Sequence, residues 1–321
     1  MALWRLGTED PRVWQVLNVP ALAAPGGLNA AVAAGLRPLP YGYDLSYRGT
    51  GELLRVVSSS QDGLRALTFE ARSNETGRGL IMGERLVWPA SPFVIGRWEK
   101  QSPKDVALTF DDGPDPTWTP KLLDILKAAL APATFFVVGL QAQQYPALLR
   151  REVAEGHEIG SHTFTHPNLS MVSRTQVRLE LGATQRLIQS ILGRGALLFR
   201  PPFAEDVEPV TPDQARVLQQ ASELGYTTVG MGVDPEDWAK PGTAEIVKAV
   251  LSQVQGGAGQ VVLHDAGGNR AQTVAALPAV IRELRAHGYR LVTVSALAGL
   301  SREQVMPQVV GVGAWLTRAG G

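Results

Sequence analysis

The chain has 321 residues, 45% hydrophobic and 19% charged, enough for one large domain or two of ordinary size. Thirty Lys and Arg balance thirty Asp and Glu, so no basic surplus points to nucleic acid, and neutral substrates such as sugars suit the balance. The absence of cysteine excludes disulfides, thiolate ligands and cysteine nucleophiles, and is compatible with either redox compartment.

The opening residues, MALWRLGTEDPRVW, lack the charged and apolar regions of a signal peptide. No run reaches the ~20 apolar residues of a membrane span, and the C-terminal VMPQVVGVGAWL is too short and too rich in Gly. After a Gly/Ala/Pro-rich stretch come GELLRVVSS, LRALTFEAR, GLIMGERLVW and FVIGRWEK. These short runs of β-formers, spaced by Gly, Asn and Ser, predict a small antiparallel sheet and a β-rich accessory region over residues 1–100. WEKQSPKD then reads as a hinge.

From Val106 the rhythm changes to strand, loop, helix. Strands are predicted at VALTF, ATFFVVG, HEIGS, ALLFR, YTTVG, QVVLH and RLVTV. Between them lie the helical patterns TPKLLDILKAAL, YPALLRREVAEG, SRTQVRLELGATQRLIQSIL, TPDQARVLQQASELG, TAEIVKAVLSQVQ and TVAALPAVIRELRAHG. In the fourth, Thr211 suits the N-cap, Pro212 the first helical position and Gly225 the stop. Strands alternating with helices predict an α/β domain with a parallel sheet over residues 101–321, barrel-like or doubly wound. Asn74 and Asn168 head Asn-x-Ser/Thr triplets that read as chance matches.

Chemistry collects at the ends of these strands. Asp111 and Asp112 follow VALTF, His162 and His166 follow HEIGS, and Arg200 follows ALLF. Asp234 and Asp237 lie just beyond YTTVG, and His264 ends QVVL. In a parallel barrel all of them reach the C-terminal rim, where such folds place active sites. Singly, each has a plain explanation: Asp-Asp-Gly-Pro a turn, His-x-x-x-His a surface pair, Arg200 a surface charge. Together they point to a site. His157 and His287 stand apart, each beside a Gly after a helix, and read as helix C-terminal residues.

Two imidazoles and a carboxylate suit a divalent ion such as Zn²⁺, and equally Co²⁺, Ni²⁺ or Fe²⁺. Such an ion explains why adjacent carboxylates are tolerated: Asp112 binds it, and its charge lets Asp111 stay ionised. Asp111 can then serve as base toward a water, and His264 as acid toward a leaving amine. Arg200 can orient Asp111, and Asp237 can keep His264 protonated. Metal-assisted amide or ester hydrolysis follows.

In order and rough spacing, TFDDGP, HTFTH, RPPF, DPEDW and VLHD resemble the five motifs of the polysaccharide deacetylase family (NodB-homology, carbohydrate esterase). The resemblance covers about Lys104 to Leu300. It implies a distorted (β/α) barrel of about seven parallel strands that removes N-acetyl, sometimes O-acetyl, groups from sugar polymers. By motif position it makes Asp111 the base, Asp112, His162 and His166 the metal triad, Arg200 the tether, and His264 the acid supported by Asp237. Trp238 and Leu263 would wall the acetyl methyl, and the Phe203 backbone N–H would face the oxyanion. Pro202, in the same motif, joins the substrate-binding set. Many relatives read Arg-Pro-Pro-Tyr-Gly where this chain has RPPFAED, so Phe203 lacks a hydroxyl, Ala204 replaces Gly, and Glu205 and Asp206 add acid charge.

ALWRLGTEDPRVW is similar to the last strand and helix of a family-18 chitinase-like barrel, as in bacterial fusions of such a barrel with a deacetylase and a processive glycosyltransferase. HDAGGNRAQTVAALP is similar to the deacetylase segment of those fusions. This resemblance implies a piece of a longer multidomain protein acting outside the cytoplasm, in the periplasm, at the surface or secreted. The acidic chitinase signature is absent, so no glycosidase activity is expected. The expected partner is an acetylated polysaccharide or oligosaccharide: chitin, peptidoglycan or poly-N-acetylglucosamine. The rival readings are an O-acetyl (xylan-type) esterase and a non-catalytic carbohydrate-binding relative.

Overall fold

The structure is a computed structural model that describes residues 102–204 and 212–309, with the strand backbone at 51–58, 65–73, 80–87 and 94–95. Strands β1 (Gly51–Ser58), β2 (Arg65–Ser73) and β3 (Leu80–Val87) pair antiparallel in the order β1-β2-β3, as the β-rich composition predicts. The chitinase-like stretch at residues 1–19, the Gly/Ala/Pro-rich stretch, Asn74, Glu205, Asp206 and Thr211 lie outside the described residues. Asn168 is a turn former whose side chain accepts the Ser170 N–H.

The second sheet is entirely parallel. Its strands are β4 (Val94–Ile95), β5 (Asp105–Asp111), β6 (Thr134–Val137), β7 (Glu158–Ser161), β8 (Leu198–Phe199), β9 (Thr227–Val229), β10 (Gln260–His264) and β11 (Arg290–Val292). The order is β10-β5-β6-β7-β8-β9-β4, with β11 on the first half of β5. All seven strands expected after Val106 are present. β4, two residues inside the stretch read as accessory, pairs with Thr228 and Val229. Beyond β9 the chain curls back so that Val233 bridges to Val261 of β10, which brings the two ends of the sheet together as a distorted barrel.

Parallel strands are covered on both faces, so their apolar runs are continuous rather than alternating. All seven residues of β5 are buried. The covering helices are α1 (Thr119–Ala128), α2 (Gly139–Gln144), α3 (Pro146–Ala154), α4 (Arg174–Leu192), α5 (Pro212–Glu223), α6 (Thr243–Gln255), α7 (Ala271–Ala286), α8 (Val294–Leu297) and α9 (Arg302–Val305). Helix-long periodic patterns predicted six of them; α2, α8 and α9 are too short to leave one. α4 shows how sequence sets the limits: the Ser173 side chain caps the Gln176 N–H, and Gly193 ends the helix at φ 64°. Leu122, Leu123 and Leu126 of α1 are fully buried against the sheet, each contributing about 1.5–3 kcal/mol.

The two histidines outside the rim behave differently from each other. His287 follows α7, exposed, with its ring nitrogen on the Glu283 carbonyl, as expected of a helix C-terminal residue. His157 is instead a core residue, 2% exposed, whose Nδ1 accepts the Ala133 N–H. An accepting Nδ1 inside the core requires a neutral ring, and burial holds its pKa down to about 4. The unfolded chain therefore binds the extra proton between pH 6.5 and 4, so this group's stabilisation is present above that window and is lost as pH falls through it. The full loss is about 3 kcal/mol. Urea melts of the wild type and His157→Gln at pH 7.5, 5.5 and 4.5 should show a shallower acid loss in the variant; equal slopes would contradict the assignment.

Candidate active site

The strand ends deliver the polar residues to one rim. Asp111 closes β5 and His264 closes β10, and these two are register partners in the sheet. His162 directly follows β7 and Arg200 directly follows β8. Strand alternation would send Asp111 and Asp112 to opposite faces. Asp112 escapes that rule because it adopts φ 80°, as the chain leaves the strand. Thr163, His166 and Phe203 are likewise left-handed, at φ 69°, 62° and 62°. Such conformations cost about 1–3 kcal/mol each in non-Gly residues and cluster at functional sites.

Arg200 is buried, 1% exposed. Its Nη1 donates to Asp111 Oδ1 at 2.7 Å and to Thr109 Oγ1 at 2.7 Å, and Nη2 donates to the Gly230 carbonyl at 3.2 Å. The guanidinium also lies 4.2 Å from the centre of the Phe136 ring. Across the rim the charges are reversed. Asp237 is buried, accepts from His264 Nδ1 at 2.7 Å and from the His264 backbone N–H at 3.0 Å, and takes the Thr273 hydroxyl at 2.6 Å. Burial opposes a charged His264, but the Asp237 hydrogen bond and charge, with Asp111 and Asp112 beyond, outweigh it and raise the pKa to about 9.

Asp112, His162 and His166 form the third group. Asp112 Oδ1 lies 3.5 Å from His162 Nε2 and 3.2 Å from His166 Nε2, and one ligand atom from each of the three lies within 4.8 Å of the others. Ligand atoms about 2 Å from a tetrahedral ion stand roughly 3.3 Å apart, so the trio has the spacing a divalent ion needs. His162 Nδ1 is 2.7 Å from the Arg200 carbonyl, which places the proton there and leaves the Nε2 lone pair for a ligand. Burial alone would raise the Asp112 pKa, but the His162 and His166 imidazoles beside it, with His264 beyond, push it well below the carboxylate range. The donor set of two nitrogens and one oxygen fits zinc and its first-row neighbours.

Most of the residues expected at the site converge on it. Pro202 is buried, and the Phe203 ring, 61% exposed, packs edge-on to His166 at 4.9 Å between centroids. Trp238 stands on a short turn, half-exposed at 52%. Asp234 structures that turn by accepting the Glu236 N–H. Leu263 is the exception. It pairs with Phe110, one residue off Asp111 and His264, and so faces the helix-covered core with Phe110. Val262, opposite Thr109, shares the face of His264 and takes the position expected of Leu263.

Several supporting residues carry no signal in the linear sequence. Thr109, on the same strand as Asp111, accepts from Arg200, and Thr273, on α7, donates to Asp237. Asp265, fully buried, accepts the Thr119 hydroxyl at 2.5 Å and lies so close to Gly113 that a Cβ there would meet it at 2.1 Å. Gly267, at φ 73°, leaves room for Asp112: a Cβ would stand 2.5 Å from Oδ2. The small residues of HDAGGNR are thus a fitting surface for the carboxylate of another strand.

A polysaccharide deacetylase family model matches residues 98–229. A peptidoglycan-N-acetylglucosamine deacetylase of Bacillus cereus is 42% identical over 205 residues, 62% of this chain and 91% of that protein. A chitooligosaccharide deacetylase of Sinorhizobium fredii is 39% identical over 57% of this chain and 87% of its own. Among solved structures, a peptidoglycan N-acetylglucosamine deacetylase in complex with 4-naphthalen-1-yl-N-oxidanyl-benzamide superposes with a TM-score of 0.59 at 32% identity, covering 64% of this chain and 94% of that one. A family 4 carbohydrate esterase of Streptomyces lividans, in complex with acetate, superposes at 0.51 and 33% identity, covering 58% and 90%. The chain belongs to the polysaccharide deacetylase family.

The His264 and Asp237 pair can be tested directly. Replacing Asp237 by Asn removes the charge that holds the imidazolium, so the His264 pKa should fall from about 9 by more than about one unit. NMR titration of the His264 ring protons in metal-free protein reads this; an unchanged midpoint would contradict the assigned cause.

Proposed function

We propose that this rim hydrolyses the N-acetyl group of N-acetylglucosamine residues in a polysaccharide, releasing acetate and a free amino sugar. One observation carries the reading: Asp111 and His264 stand side by side across β5 and β10, each held by a buried partner of opposite charge. Beside them lies the trio with metal-ligand spacing. The relatives named for peptidoglycan N-acetylglucosamine and for chitooligosaccharide support the same acetamide as the target.

Asp112, His162 and His166 would hold the divalent ion, Zn²⁺ by preference over Co²⁺, Ni²⁺ or Fe²⁺. When bound, it supplies Lewis acidity toward the acetyl carbonyl and acidifies water. Arg200 engages Oδ1 of Asp111, leaving Oδ2 as the oxygen that takes a proton from the attacking water. The Phe203 backbone N–H donates to the carbonyl oxygen as it gains charge. Asp237 engages Nδ1 of His264, so the proton delivered to the departing amine nitrogen comes from Nε2. Trp238 and Val262 border the acetyl methyl, and Pro202 supports the turn that presents Phe203.

The relatives named for peptidoglycan act on cell-wall material, which supports a working compartment outside the cytoplasmic membrane. Fusion to a glycosyltransferase that makes such a polymer agrees with the chitinase-like resemblance of the first residues.

Metal-stripped protein should release no acetate from N-acetylated chito-oligosaccharides, and adding Zn²⁺ should restore release. Asp111→Asn should lose roughly 10²–10⁴-fold in turnover with zinc still bound, whereas His162→Ala combined with His166→Ala should lose the zinc itself. A fully active Asp111→Asn protein would overturn the mechanism. Acetate released from acetylated xylan alone would move the assignment to ester hydrolysis.

A further inference from the structure

A buried carboxylate outside the assigned roles lies against the loop that joins His162 to His166. Glu180 sits in the middle of α4 and is 2% exposed. Its Oε2 accepts the backbone N–H groups of Phe164 and Thr165, both at 2.8 Å. Its Oε1 accepts the Thr165 hydroxyl at 2.7 Å and the Gln176 side-chain amide at 2.9 Å. A carboxylate offers about four lone-pair positions, and these four neutral donors use them. Burying an ionised group is expensive unless it is fully hydrogen-bonded, so the arrangement holds only while the loop keeps this shape.

The loop needs such a hold. His162 is fixed by its place next to β7 and by the Arg200 carbonyl, but His166 comes four residues later, with Thr163 and His166 both left-handed. Local bonds help: the His166 N–H donates to the Thr163 hydroxyl at 3.0 Å. The loop's carbonyls are pinned from the other side, where the Gly139 and Leu140 N–H groups donate to Thr163 and Phe164. Glu180 completes the clamp from the amide side.

We propose that Glu180 is a positioning residue that presets the His162–His166 loop, so that the three ligands stand ready before the ion arrives. Glu180 touches neither the ligand atoms nor the substrate; it acts through the backbone between the two histidines. This inference rests on the reading of Asp112, His162 and His166 as metal ligands.

Zn²⁺ titration of the folded full chain against a competing chelator tests both. Glu180→Ala should bind zinc roughly 10- to 100-fold more weakly, the usual penalty for losing a group that orients a ligand. Glu180→Gln should stay close to wild type, because its Oε1 can accept both backbone amides while its nitrogen donates to the Thr165 hydroxyl and to Gln176, whose amide turns over to present its oxygen. The visible spectrum of the Co²⁺-loaded protein should change in the Ala variant and not in the Gln variant. Hydrogen exchange on the metal-free wild type supplies a reading that needs no variant: the Phe164 and Thr165 amides should be protected before any metal is added. Zinc affinity in Glu180→Ala equal to wild type, or free exchange of those two amides, would overturn the proposal. A wild-type protein that binds no zinc would remove the metal reading itself, a different failure from a wild type that binds and an Ala variant that binds equally well.

Discussion

The guanidinium of Arg200 lies inside the barrel, and its partners come from several strands around it. Asp111 and Thr109 are on β5, Gly230 directly follows β9, and Phe136 offers its ring from β6. A buried cation without partners would be costly, so these strands must keep the register that brings the partners to it. That register also sets Asp111 beside His264 and places the Arg200 carbonyl where it fixes the tautomer of His162. One buried charge therefore links the packing of the barrel to the orientation of the Asp111 carboxylate and of the His162 ring.

Around this centre the rim separates charges that would otherwise repel. Asp111 is matched to an arginine and Asp237 to a histidine, so each of these carboxylates has a counter-charge in direct contact. Asp112 faces two imidazoles and has room for an ion among them. Asp265 is a further carboxyl; burial, with Asp112 and Asp111 adding to it against the Thr119 hydrogen bond, raises its pKa to about 7. The difference between these environments is what allows neighbouring carboxyl groups to differ in protonation.

The geometry also depends on backbone that departs from regular structure just where the strands end. Asp112, Thr163, His166 and Phe203 adopt left-handed conformations. At Asp112 the change of direction turns a side chain away from the face to which strand alternation would have sent it. Neighbouring elements stabilise these turns, through the N-terminus of α2, the carboxylate on α4 and the glycines that follow β10.

The sequence by itself determined the seven strands, the six long helices and the chemical set at the rim. Apolar runs of strand length, helical periodicity and scarce residue types at strand ends are local signals. It also determined which histidines are rim residues, because there are only five and three end or follow strands. Only the tertiary structure decided which face each neighbour takes. Leu263 and Val262 are equally apolar in the sequence, yet the pairing of β10 with β5 sends Leu263 to the core and Val262 to the site. His157 and His287 look alike beside their glycines, but packing buries one as a neutral acceptor and leaves the other exposed at a helix end. Thr109, Thr273 and Gly267 are ordinary residues until the fold sets them against charged groups far away in the chain. Such roles depend on distance through space, which composition and spacing along the chain do not encode.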